Sequence, residues 1–226
     1  MSGDAVFFQL LRLASPALPV GAYCYSQGLE AALELRLVHD GATAREWLAG
    51  VLDGPVTRFD AALVGHAWRA VARQDGESLR EINDRVLASR ETQAQRAETQ
   101  QMGYSLRMLL ESVPEGVAWR WPPDLATQVT FPVAWAVAAR CFGIAQRATV
   151  GAFLFGWLEN QLVVLMKAMP MGHTAGQQLL SGLIPALEAA TDVATGLVFD
   201  DLSNFAPLLG WVAMRHETQY SRLFRS

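Results

Sequence analysis

The chain has 226 residues, with 18 basic against 22 acidic side chains for a formal net charge of −4, and 51% of it is apolar. That composition excludes a disordered or solvating chain, and an acidic balance with scattered arginines argues against a nucleic-acid binder. Two cysteines, Cys24 and Cys141, are too few for a disulfide framework or for a four-ligand zinc site of their own.

Along the chain the punctuation is helical, and strand alternation is not seen. The first four residues lack the charged and apolar regions of a secretory leader, which predicts a cytoplasmic protein. Residues 6–13 read as a short apolar helix stopped by Ser15-Pro16 and a turn-rich stretch through Pro19 and Gly21. Ser26 is placed to cap the next helix, and Thr43 with Glu46 forms a capping-box pattern for the one after. Residues 58–73 repeat apolar side chains (Ala61, Val64, Trp68, Val71) at helical spacing. Residues 77–110 read as one helix of roughly 30 residues, about 45–50 Å long. Its middle, 89–101, is polar nearly all round, with Ala94 and Ala97 as its contacts to the core.

Residues 114–123 are the clearest loop, and Pro132 suits the first turn of a further helix. Residues 149–169 are apolar on every face but interrupted by Glu159, Asn160, Gln161 and Lys167, the pattern of a buried central helix and not of a membrane span. A helix over 174–190 is expected to kink or stop at Pro185. A last helix, 204–220, leaves a basic, aromatic tail at 221–226. The expectation is one all-α domain spanning 1–226, a bundle of about eight to ten helices.

The chemistry is sparse. The sequence holds no G-x-x-x-x-G-K-[ST] phosphate loop, G-x-G-x-x-G turn, C-x-x-C, H-E-x-x-H or G-x-S-x-G elbow. His39, His66, His173 and His216 lie far apart, without the spacing that lets two imidazoles share a metal on one helix. Glu30, Asp60 and Glu159 could supply carboxylates to an enzyme, but no spacing pairs them. No catalytic residue and no metal ligand is assigned. Lys167 is the exception: it is the one lysine against 17 arginines, and it sits on the most apolar helix. Such an ammonium must snorkel out, pair with a carboxylate or face a partner.

Four blocks taken together resemble one family, the urease accessory protein UreF: LASPALPVGAYCYSQGLE at 13–30, ETQQMGYSL at 98–106, WLENQ at 157–161 with KAMPMGHTAGQ at 167–177, and HETQYSRLFRS at 216–226. They fall in the family's order along essentially the whole chain. Cys24 and His173 depart from the residues the family pattern leads one to expect at those places, which argues against either as an obligatory nickel ligand.

The resemblance implies an all-helical, homodimeric, non-catalytic urease maturation factor. It would bind UreD (UreH in some organisms), recruit the GTPase UreG, and act through that complex on apo-urease, with no role for nucleic acid or membrane. Nickel and GTP would be handled by the partner complex, so no cofactor is expected on this chain. The alternative is a metallochaperone that binds nickel itself. The tail is expected to order on UreD through Tyr220, Arg222, Leu223, Phe224 and Arg225, aromatic and arginine anchors of the kind that dominate interfaces; the bland reading is a tail folded onto its own domain. Lys167 is assigned to the surface facing UreG, as a contact regulating GTP hydrolysis, with Tyr25 and Glu30 as further partner-facing candidates. As an alternative to a solvated stretch, Gln93, Arg96 and Gln100 would line a wet path for nickel in a dimer or partner complex.

Overall fold

The computed structural model describes residues 3–117 and 119–226, and among these it contains helices and their connections with no strand. Helix α1 (Gly3–Leu13) is followed by an irregular stretch that leads into the short α2 (Leu29–Glu34). Ser26 does not cap α2. Gln27 and Gly28 both turn left-handed (φ 54° and 87°), and Gly28 is the N-cap. Helix α3 (Gly41–Val51) opens one box earlier than the Thr43–Glu46 pattern suggests. The Asp40 carboxylate accepts the Thr43 N–H at 2.8 Å, and the Thr43 hydroxyl accepts the Asp40 N–H at 3.1 Å.

A π-helical segment over Leu52–Ala61 carries Gly54 and Pro55 and runs into α4 (Ala62–Ala72). The helical path kinks at Gly54 (φ −86°, ψ −116°), and Pro55, which has no N–H to donate, opens the turn that follows. The long polar helix of the sequence reading is in fact two, α5 (Gly76–Ser89) and α6 (Gln93–Ser112). Arg90 is extended (φ −81°, ψ 112°), and Thr92 begins α6 with a capping box to Gln95. At the break Arg90 makes a bidentate pair with Asp60 on the preceding segment, at 2.6 and 3.2 Å. Two one-turn helices, α7 (Pro114–Val117) and α8 (Leu125–Gln128), lie in the region read as loop.

Helix α9 (Phe131–Cys141) has Pro132 in its first turn, as expected. Its N-terminal donors are met by side chains of other helices: Asn83 Oδ1 accepts the Thr130 N–H (2.8 Å) and Thr99 Oγ1 the Phe131 N–H (3.2 Å). Gly103 of α6 lets that strand of backbone pass, since a Cβ there would stand 2.1 Å from the Val129 carbonyl oxygen. Helix α10 (Gln146–Ala168) is long and apolar enough to cross a membrane by length and composition alone, but it is mostly buried, packed against α2, α4, α11 (His173–Gly196) and the π segment. It is the central helix of one continuous core that includes Leu63, Leu106, Phe142, Leu154 and Leu158. Helix α11 passes through Pro185 without stopping: the proline is exposed, as is Ser181 four residues before it, so the acceptor left free can face solvent. Helix α12 (Pro207–Glu217) packs on α2.

A candidate partner-binding surface

The tail after α12 lies on its own domain, held by two buried carboxylates, Glu30 on its backbone and Glu98 on its last side chain. Glu30, on the first turn of α2 and 6% exposed, accepts the Leu223 N–H on Oε1 (2.6 Å) and the Phe224 N–H on Oε2 (3.1 Å). His216, 1% exposed on the last turn of α12, places Nε2 2.9 Å from the same Oε2. Glu98, on the inward face of α6, accepts the Ser226 hydroxyl (2.6 Å) and the Gln27 amide (2.7 Å). Burial raises its pKa, while those two hydrogen bonds and the charge of Arg90 pull the other way.

Backbone pairing with the stretch before α2 completes the seat. The Arg225 N–H donates to the Cys24 carbonyl (2.8 Å), and the Ser26 N–H donates to the Ser226 carbonyl (2.8 Å), which the Ser26 hydroxyl also reaches. Tyr25 is buried beneath, its carbonyl accepting from Asn160 of α10 (2.9 Å) and its phenol bonded to the Arg225 side chain. Ser26 is therefore a tail ligand and not a helix cap.

The eight residues expected to meet partners divide into two sets. Lys167, Tyr220, Arg222, Leu223 and Arg225 are exposed. Tyr25, Glu30 and Phe224 face inward, where Phe224 is 5% exposed and its ring lies 5.6 Å beneath the Lys167 ammonium. The structure thus brings Lys167 and the tail together, although 50 or more positions separate them. Glu98, Gln27, Ser26 and His216 belong to the same arrangement and were missed. The one available signal was an acidic residue in the middle of a polar helix, and it names no partner.

Gln93 and Arg96 are exposed and Gln100 only half-buried, so α6 turns a different face inward, made of Thr92, Gln95, Glu98, Thr99 and Met102; Ala97, expected on the core, is exposed. That face borders a cavity of about 160 Å³ whose other walls include Asp60, Arg90, Phe131, Trp135 and Trp157. Among the described residues no three His, Cys, Asp or Glu side chains cluster as metal ligands would. Of the three carboxylates weighed for an enzyme, Glu30 holds the tail, Asp60 pairs with Arg90, and Glu159 accepts from the Tyr23 hydroxyl at 3.0 Å. A second exposed patch runs along α12, where Leu208, Trp211 and Met214 recur every third residue beside Phe205, and a third on α1 presents Phe7, Phe8 and Leu11. Apolar exposure of this kind marks interaction sites.

The UreF family profile matches residues 38–184. The urease accessory protein UreF of Azotobacter vinelandii is 48% identical over 224 residues, covering 96% of this chain and 97% of its own length. That of Azoarcus sp. is 47% identical over 221 residues, covering 96% and 94%, and that of Ectopseudomonas mendocina is 46% identical over 224 residues. The chain belongs to the UreF family of urease accessory proteins.

Proposed function

We propose that this chain is a non-catalytic scaffold of urease maturation in the cytoplasm, acting as a homodimer that binds UreD (UreH) and recruits the GTPase UreG for nickel insertion into apo-urease. The observation that carries the reading is the single surface on which Lys167, Arg222, Leu223 and Arg225 stand together, exposed, on a buried hydrogen-bonded seat. Arginine and apolar side chains on a rigid base are what an interface anchor requires, because their ordering cost has already been met. The apolar stripes on α12 and α1 supply further area of the kind a permanent complex covers.

In this reading nickel is cargo, bound by the partners, and the nucleotide belongs to UreG, since the sequence carries no phosphate loop of its own. Lys167 regulates hydrolysis as a point charge facing UreG. The test is co-expression with the cognate UreD and mass measurement by light scattering, with and without residues 220–226. The full chain is expected to give a stable complex that the truncated chain does not, with helicity retained; a complex that survives truncation overturns the assignment. A Lys167→Ala chain is expected to alter GTP turnover in the full assembly, and unchanged turnover together with unchanged urease activation removes the regulatory role.

A further inference from the structure

Glu30 is a poor contact residue. Both its oxygens are already engaged, by the N–H groups of Leu223 and Phe224 and by His216, and almost none of its side chain reaches solvent. The tail itself alternates as an extended segment does: Leu223 and Arg225 are exposed, while Phe224 and Ser226 are buried. What fixes this alternation is main-chain recognition by Glu30 at 223 and 224 and by the Cys24 and Ser26 backbone at 225 and 226, with Glu98 accepting the Ser226 hydroxyl. A slip of one residue would bury Leu223 and Arg225 and expose Phe224. It would also remove the aromatic face from beneath the Lys167 ammonium.

We propose that Glu30, backed by His216 and assisted by Glu98 on the Ser226 hydroxyl, is a positioning residue: it captures the backbone N–H groups of residues 223 and 224 and so sets the register in which Arg222, Leu223, Arg225 and Lys167 form one surface. The proposal rests on the reading of that surface as a partner site, and it assigns Glu30 a role through the tail and none in direct contact.

The test is amide hydrogen exchange on the full, unbound chain. In the wild type the amides of residues 223–226 are expected to be protected. Glu30→Gln turns an amide NH2 toward one of the tail N–H donors and removes a charge-assisted bond, so protection at 223–226 falls tenfold or more. Amides of α9 and α10 keep their protection. Lys167→Met, which keeps the apolar stem and loses the cation over Phe224, loosens the tail by about two- to fivefold. Should Glu30→Gln fail to fold, Ser226→Ala probes the same seat from the Glu98 side without touching any helix. Its expected effect is a loss of protection at 225 and 226.

Tail amides that exchange freely in the wild type, or equally in wild type, Glu30→Gln and Ser226→Ala, overturn the seat. These results do not depend on UreD. A seated tail whose deletion leaves the UreD complex intact would refute the partner reading and leave the seat standing. A tail-dependent complex in which Glu30→Gln changes no exchange would do the reverse.

Discussion

The Arg90–Asp60 pair lets the physics of the interior be tested where the helix breaks. Both side chains are 19% exposed, and the guanidinium meets the carboxylate bidentately at 2.6 and 3.2 Å. Burial opposes the charge on Arg90; the Asp60 carboxylate and its hydrogen bonds more than offset that, and the pKa of Arg90 lies above its ordinary value. Asp60→Asn keeps the shape and removes the charge, leaving the guanidinium with only the more distant attraction of Glu98. Breaking a fully buried pair costs about 3–5 kcal/mol. The residual exposure of both side chains brings the expected cost to about 2–4 kcal/mol. For a domain of this size that is a fall in Tm of about 4–16 °C. Removing both charges tells a different story: Asp60→Asn with Arg90→Met leaves no orphaned ion, so the double variant should lie within about 1 kcal/mol of wild type. Urea denaturation with a common m-value measures wild type, both single variants and the double; Arg90→Met alone orphans the buried carboxylate at a similar cost, so the cycle should give a coupling of at least about 3 kcal/mol. An Asp60→Asn chain less than about 1 kcal/mol below wild type, or additive costs for the two changes, would refute the reasoning.

Two further predictions follow from packing and titration. Gly103→Ala should destabilise by about 1–3 kcal/mol, because the new methyl meets the backbone at Val129 and Thr130 and the gain of about 1 kcal/mol in helix propensity cannot offset it; Gly50→Ala on α3, with nothing within 4 Å, should stabilise by about 0.5–1 kcal/mol, and thermal melts of the pair compare them directly. Glu98, whose pKa is raised above 4.5 by burial, binds its proton more tightly folded than unfolded, so its contribution is present below pH 4.5 and is lost as pH rises through its folded value. Glu98→Gln, which can still accept from Ser226, should therefore be the more stable chain near neutrality, with the difference vanishing as pH falls toward 4; a difference that is flat with pH would contradict this. His66 acts in the opposite sense: burial and then the Arg69 charge lower its pKa from 6.5, so its contribution is complete above pH 6.5 and fades as pH falls below it.

The parts of the fold that were legible are those written in local spacing. The apolar period of α4, the Pro132 start of α9 and the all-round apolarity of α10 needed no knowledge of neighbours. The errors have distant causes. At the break between α5 and α6, Arg90 pairs with Asp60, 30 positions away, although Thr92 with Gln95 is itself a readable capping box. Ser26 looks like a cap because serine commonly is one, but a carbonyl 200 positions away claims its hydroxyl. Pro185 reads as a boundary until its exposure is known. Glu30 reads from the sequence as a partner-facing side chain and in the fold is buried against the tail, since a sequence shows that a carboxylate is present and not which way it faces.

The four sequence blocks that carry the family resemblance look unrelated when read along the chain, and their separation is explained once they are seen to meet. The first contributes Ser26, Gln27 and Glu30, the second Glu98, the third Asn160 and Lys167, and the last His216 and the tail. Each supplies a group that another leaves needing a partner: Glu30 and Glu98 are buried carboxylates that need donors, the tail has main-chain donors and no helix to use them, and the carbonyl of Tyr25 needs Asn160. Removing any one block leaves a buried polar group unpaired, which costs more than the bond itself is worth. A surface assembled in this way can be rigid without being part of the helical core, as the partner surface proposed above requires.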